Sequence, residues 1–344
     1  MINLLNDYNG ACATEILEEL IKTNSLKTSG YSTDEYCLEA ITKIREMVCD
    51  SEATVHFLVG GTQTNLVLLS TLKPYEAVVS CDTGHIACHE TGAIENTGHK
   101  VIVTKNNNSK IDIVELERVI EEHDSFHMVK PKLVYISNST EYGSVYTKHE
   151  LEVIRDFCDK NNMYLFLDGA RLCHALASET NDLSLADIYR LTDAFYIGGT
   201  KNGLLFGEAL IIRNKNIAID LKYNIKQKGA LLAKGRLLGI MFNRLFKDEL
   251  YLNLASHANM CAIKLKNIFK KYNIEIYNEN DTNLLFAYLD DDLKKYLEKY
   301  IIFDFDIKDR NRKVYRFVTS YNTDYNEILE IDNILSKYKN KQMA

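Results

Sequence analysis

Asp193-Ala-Phe-Tyr-Ile-Gly-Gly-Thr-Lys-Asn-Gly-Leu-Leu-Phe-Gly-Glu208 is the stretch on which the reading of this chain turns. An apolar run from Ala194 to Ile197 breaks at Gly198-Gly199-Thr200. One lysine, Lys201, follows at once, and Asn202-Gly203 leads to a second apolar run from Ala209 to Ile212. Short apolar runs separated by glycines predict strand, turn, strand, with a single ammonium at the turn. Burying the stem of such a lysine lowers its pKa and frees the amine as a nucleophile toward a carbonyl carbon. A surface lysine between two strands reads the same fragment equally well, so the rest of the chain has to separate the two.

Working outward, apolar strands alternate with helical patterns. Strands are expected at Ala53–Val59, Ala77–Ser80, Val101–Thr104, Leu133–Ser137 and Tyr164–Leu167. Between them lie helices at Thr62–Leu72, at Ile113–Glu122 capped by Asp112, from the capping box Thr147-Lys-His-Glu150 to about Asn161, and at Ser184–Leu191. Before them come a helix from Ala13 to Ile21, a turn at Gly30–Asp34, and a helix from Asp34 to Val48 with Leu38, Ile41, Ile44 and Val48 on one face. This alternation predicts an α/β fold with a mostly parallel sheet between helices.

After Arg213 the pattern is helical to about Asn273, with a break near Lys247-Asp248. Strands at Ile274–Tyr277, Asn283–Tyr288 and Val314–Thr319 then mix with helices at Asp291–Glu298 and Asp324–Lys339. The expected division is an N-terminal arm over 1–20, a large domain over 21–248 and a small α+β domain over 249–344.

Composition narrows the function classes. A net charge of -7 argues against nucleic-acid and anionic-membrane partners. No run of about 18 apolar residues predicts a membrane span. Eight cysteines without framework spacing, after an opening Met1-Ile-Asn-Leu-Leu-Asn-Asp7 that reads as no secretory leader, set the expectation of reduced thiols in a cytoplasmic protein.

In such sheets ligands bind at the carboxyl ends of strands. After the first strand, Gly60-Gly61-Thr62-Gln-Thr-Asn65 opens a helix and can cradle a phosphate; it has neither the Walker nor the dinucleotide glycine spacing. After the second comes Cys81-Asp-Thr-Gly-His85-Ile-Ala-Cys88-His89-Glu90. Its spacing matches no standard pair of metal-ligand arms, so no metal is expected, and His85 can stack on a planar ring or move a proton. Asp168-Gly-Ala-Arg171 places a carboxylate and a guanidinium at another strand end. Arg316, inside the apolar run Val314–Val318, requires an anionic partner. Each has a bland reading as a turn or a structural salt link. Together, a phosphate cradle, a stacking ring, a strand-end aspartate, a lysine and two arginines match the parts of pyridoxal 5'-phosphate and an amino-acid carboxylate.

These motifs, with Glu90-Thr-Gly-Ala93, Gly199-Thr-Lys-Asn-Gly203 and Arg316-Phe-Val-Thr319, resemble the threonine aldolases of the β-eliminating-lyase group. The nearest branch is the one with Gly-Gly-Thr-Lys-Asn-Gly at the lysine, which includes phenylserine-aldolase-like proteins. The resemblance implies a fold-type-I architecture with a seven-stranded-type sheet, pyridoxal phosphate bound by the large domain, and cleavage of a β-hydroxy-α-amino acid (threonine, allo-threonine or phenylserine) to glycine and an aldehyde. It implies Lys201 bonded to the cofactor, Asp168 at the pyridine nitrogen, and His85 over the ring and close to the β-hydroxyl proton. Gly61 and Thr62 would hold the phosphate, with Arg236 of a neighbouring subunit. Arg171 and Arg316 would hold the substrate carboxylate, Arg171 also lying against the cofactor, with Asn6 and Tyr31 near the substrate. A homotetramer or homodimer with shared sites is the expected assembly.

Three departures stand out. Gly60 replaces the family's serine before Gly-Thr, Asn6-Asp7 replaces its Ser-Asp, and Ser137-Asn138-Ser-Thr-Glu141 lacks the histidine usual in that loop. A β-eliminating lyase or an aminotransferase on the same cofactor, a scaffold without turnover, and a metal protein built on Cys81, His85, Cys88 and His89 stay open as alternatives.

Overall fold

Seven strands build the central sheet of the computed structural model, which describes residues 1–343. They are β1 (Thr54–Leu58), β2 (Glu76–Cys81), β3 (Val101–Thr104), β4 (Lys130–Ser137), β5 (Tyr164–Asp168), β6 (Ala194–Gly198) and β7 (Glu208–Ile212). The spatial order is β1-β7-β6-β5-β4-β2-β3. The pairs from β6 to β3 are parallel, and β7 alone runs against both its neighbours. The expected hairpin around Lys201 is therefore β6–β7, in register from Gly198 opposite Glu208 to Ala194 opposite Ile212.

The period of two along each strand sorts side chains to two faces. Leu165, Leu167, Phe195, Ile197 and Ile211 enter one apolar cluster, and Tyr135, Phe166, Tyr196 and Leu210 another. With both faces buried, the central strands read as continuous apolar runs, which is why periodicity picked them out.

A second core lies on the antiparallel sheet of β8 (Leu284–Tyr288), β9 (Asp304–Asp309) and β10 (Arg312–Val318), in the order β8-β10-β9. The helix Leu250–Lys271 joins the two cores. Leu250, Tyr251 and Ala255 pack in the first, Leu265, Ile268 and Phe269 in the second. The chain's start belongs to both as well. Ile2–Asn3 pairs in parallel with Ile301–Ile302, while Ile16 of the helix Thr14–Thr23 packs in the first core.

Three expectations need correction. Ile274–Tyr277 makes only an isolated bridge, Ile276 to Ala287, because the Asn278 and Asn280 amides both donate to the Tyr142 carbonyl (2.6 and 3.0 Å) and draw the chain away from the sheet. β9 was not foreseen, since its alternating acidic residues hide the strand signal. Leu38 is exposed; the buried face of its helix carries Cys37, Ala40 and Ile44, where Gly239 of the helix Arg236–Leu245 lets the two backbones approach.

β6 is anchored at its start. The Asp193 carboxylate takes hydrogen bonds from Arg155 (2.7 Å), the Leu165 backbone N–H (2.8 Å) and Asn214 (2.8 Å), and both charges of the Arg155 pair are buried. Removing one partner of a buried pair strands the other. Asp193→Ala is expected to cost about 3–5 kcal/mol, read as a lowered urea midpoint.

Candidate active site

The carboxyl ends of β1, β2, β4, β5 and β6 converge on one edge, as expected of a sheet of this type. Lys201 projects there from a tight turn in which the Gly199 N–H bonds the Gly207 carbonyl and the Glu208 carboxyl, both at 3.0 Å. Gly203 takes φ +84°, and a Cβ there would strike Leu254, so only glycine closes this turn. Burial, then the Arg171 guanidinium, lowers the pKa of the Lys201 ammonium, against the pull of Asp7, Asp168 and Glu208. The lysine is thus the partly desolvated amine foreseen and not the surface alternative.

Asp168 ends β5, buried. Its Oδ2 accepts from the Tyr135 hydroxyl (2.6 Å) and Asn65 Nδ2 (3.2 Å), its Oδ1 from the Tyr196 hydroxyl (2.5 Å) and the Ala170 N–H (3.0 Å). The same Asn65 nitrogen donates to Glu90 Oε1 at 2.7 Å, and that oxygen lies 2.8 Å from His85 Nδ1. A carboxylate only accepts, so Nδ1 carries the hydrogen and Nε2 is left as the acceptor of the neutral ring. The strand-end aspartate and the histidine are therefore joined through Asn65 and Glu90.

A cavity of about 610 Å³ opens beside them, walled by Asn6, His85, His89, Glu141, Arg171, Lys201 and Arg316 among others. Arg171 is already engaged: its Nε and Nη2 donate to the two oxygens of Asp7 (2.6 and 3.1 Å), and Asn283 Nδ2 adds a third bond to Asp7 at 3.0 Å. Burial raises the Asp7 pKa, but Arg171, with Lys201, more than reverses this, so the carboxyl titrates well below the usual carboxylate range. Asn6 Oδ1 takes the Tyr8 N–H at 3.1 Å.

Gly61 and Thr62 begin the helix Gly61–Leu69 at the same edge, where backbone N–H groups of the first turn face outward; Thr62 is exposed, and nothing lies within 4 Å of where a Gly60 Cβ would stand. Arg236 and Tyr31 are not among the cavity's lining residues. Arg236 donates to the carbonyls of Leu26 and Thr23 (the latter 2.9 Å). The half-exposed Tyr31 bonds the Ala233 carbonyl (3.2 Å) under Lys226. The two share a separate surface patch beside Gly235.

Sequence reasoning did not single out Asp7, Asn65, Tyr135, Glu141, Tyr196 or Glu208. The two tyrosines read as strand core because they are core, apart from one hydroxyl each. Glu141 follows β4, and its burial raises the carboxyl pKa against the Ser137 hydroxyl bond (2.7 Å). Glu208 closed the decisive stretch in plain view; burial pushes it up to about 8.

The Asp7 carboxyl, depressed on folding, contributes stability that is whole above the unfolded carboxylate pKa of about 4 and fades as pH falls toward the folded value. The stability difference between the wild type and Asp7→Asn is therefore expected to be constant from about pH 7 to 5 and to shrink below about pH 4, measured by urea unfolding at each pH.

Comparison with known proteins agrees with this geometry. The family model described as beta-eliminating lyase matches residues 4–292. A low specificity L-threonine aldolase of Pseudomonas sp. is 31% identical over 266 residues, 76% of either chain. The solved structure of Leishmania major threonine aldolase superposes with a TM-score of 0.96 at 43% identity, over 98% of this chain and 99% of that one. A Thermus thermophilus aspartate aminotransferase, at 14% identity and TM-score 0.72 over 98% and 91%, shares the fold, the fold-type-I architecture. On these matches and the site just described, the chain belongs to the beta-eliminating lyase family, in its threonine aldolase branch.

Proposed function

We propose that this enzyme cleaves threonine-type β-hydroxy-α-amino acids to glycine and an aldehyde, with pyridoxal 5'-phosphate held at Lys201. The observation that carries the reading is the meeting of Lys201, Arg171, Arg316 and His85 around one cavity, beside a buried Asp168 and the open N-terminus of the Gly61–Leu69 helix. The residues fit that cofactor. The helix start offers N–H donors to a phosphate. Lys201 is a partly desolvated amine. Asp168 presents its carboxylate where a pyridinium N–H needs an acceptor, two of its four present donors being hydroxyls that re-aim by rotation. When bound, the cofactor supplies an electron sink for the charge left on Cα.

The chain's own groups do the rest. Lys201 would hold the cofactor through its amine, and the freed amine would serve as a base near Cα. Arg316 and Arg171 bind the carboxylate. Asp7, fixed by Asn283, sets the plane of the Arg171 guanidinium and so the angle at which the carboxylate is received. His85, its tautomer set by Glu90, would lie over the ring of the bound cofactor.

Phenylserine is the second reading for the preferred substrate. Tyr8, Tyr142 and Phe305 line the cavity and suit an aryl side chain. The shared patch of Tyr31 and Arg236, away from this chain's own cavity, supports a dimer or tetramer in which a neighbour completes the site, Arg236 at the phosphate and Tyr31 near the substrate. We also propose the division into arm 1–20, large domain 21–248 and small domain 249–344, and a cytoplasmic location. Eight free thiols agree with that location, and among the described residues no helix is long and apolar enough to cross a membrane.

The test is product analysis with pyridoxal phosphate and L-threonine, L-allo-threonine or L-phenylserine. Glycine with the matching aldehyde is expected; pyruvate with ammonia, or a keto acid, would replace this reading by elimination or transamination. Lys201→Ala is expected to release no aldehyde above background. Phe305→Ala is expected to raise KM for phenylserine about 2- to 10-fold and to leave that for threonine nearly unchanged.

A further inference from the structure

The reaction needs a group to take the proton of the substrate's β-hydroxyl, and the 137–141 loop, Ser-Asn-Ser-Thr-Glu, offers no imidazole for it. The cavity wall supplies another imidazole. His85–Cys88 is a single helical turn, with the His89 N–H bonded to the His85 carbonyl at 2.9 Å. One turn brings residues i and i+4 to the same face, and the two rings lie with centroids 5.5 Å apart, tilted by 53°. Both line the cavity that holds Lys201 and Arg316.

The two rings differ in what holds them. His85 is oriented by Glu90 through Nδ1. His89 has the His85 ring as its neighbour and, among the described residues, no hydrogen bond to either ring nitrogen. Of the carboxyl groups lining the cavity, Glu141 already accepts from the Ser137 hydroxyl (2.7 Å) and the His85 N–H (3.1 Å), and Asp82 from Asn106 (2.6 Å), while Asp304 lies on β9. His89 lies close enough to Arg316, Lys201 and Arg171 to feel their charges, so its ring borders the space that a substrate held by those groups would occupy.

We infer that His89, on the cavity wall beside His85, contacts the substrate's β-hydroxyl and accepts its proton. The inference rests on the aldolase reading above. In the step, the hydroxyl proton moves to an imidazole nitrogen and the O–H electron pair becomes the second bond of the aldehyde C=O. The Cα–Cβ pair stays at Cα, which is then protonated to give glycine. The imidazolium returns its proton to solvent, so no oxidant or water is consumed. Burial, and then the neighbouring His85 ring and the Arg316, Lys201 and Arg171 cations, lower the His89 pKa from its ordinary value, which favours the neutral, accepting ring.

The experiment compares two reactions of the cofactor-loaded enzyme. Aldehyde release from L-threonine needs a proton taken from the β-hydroxyl. Exchange of the glycine α-hydrogen in D2O, followed by NMR, uses the same cofactor and Lys201 and no β-hydroxyl. His89→Ala is expected to lower kcat for aldehyde release about 100-fold or more while slowing glycine exchange far less, and added imidazole is expected to restore part of the lost release. His89→Asn, which keeps size and polarity, is the second variant should the alanine protein fold poorly; its cofactor absorbance reports an intact site. Aldehyde release within about fivefold of wild type in both variants, or equal losses in the two reactions without imidazole rescue, overturns the inference. Wild-type enzyme that exchanges glycine but releases no aldehyde from any β-hydroxy amino acid overturns the aldolase reading instead.

Discussion

A single buried carboxylate, Asp168, holds the catalytic edge of this protein together. Taking a charge out of water costs several kcal/mol unless hydrogen bonds replace its hydration. Here the four donors come from β4, β6, the helix Gly61–Leu69 and the residue two positions on, so satisfying one charge fixes three adjacent strands and a helix relative to one another. Because Asn65 spends its second N–H on Glu90, the constraint extends to His85. The side chains that face a ligand inherit their positions from this one requirement.

The second constraint is the Asp7–Arg171 pair. It places a guanidinium in the cavity with its orientation already set, at the junction of the two cores, since Asp7 is also bound by Asn283 next to β8. An arginine so held loses little freedom when it binds a carboxylate, which is what positioning for catalysis requires. The Arg171 guanidinium thus has a protein carboxylate, that of Asp7, as its standing partner.

The legible parts of the sequence were those governed by local rules. Apolar strands, the Thr147–Glu150 capping box and the glycine turn at Lys201 each declare themselves within a few residues, and the strand-end rule then gathered Gly61, His85, Asp168 and Lys201 correctly at one edge. What stayed hidden depends on distance in sequence. Tyr135 and Tyr196 look like any core tyrosine until Asp168 is seen between them. Asp7 looks like a solvated arm residue until a residue 276 positions away closes over it. Arg236 and Tyr31 were chosen by family pattern, and no local rule says that they belong to a different surface from the other candidates. β9 failed for another reason: a strand with acidic residues along it shows the right period and the wrong polarity.

The pairing of Ile2–Asn3 with Ile301–Ile302 has a consequence for biosynthesis. Ile2–Asn3 have no strand to join until Ile301–Ile302, about 300 positions on, have been made. The central sheet too is closed at one edge by a distant pairing, β1 with β7 about 150 residues later, and non-local pairings of this kind form slowly. The active-site edge is complete only when Asp7 has met both Arg171 and Asn283, residues far downstream of it, so a local feature of the site depends on long-range closure of the chain.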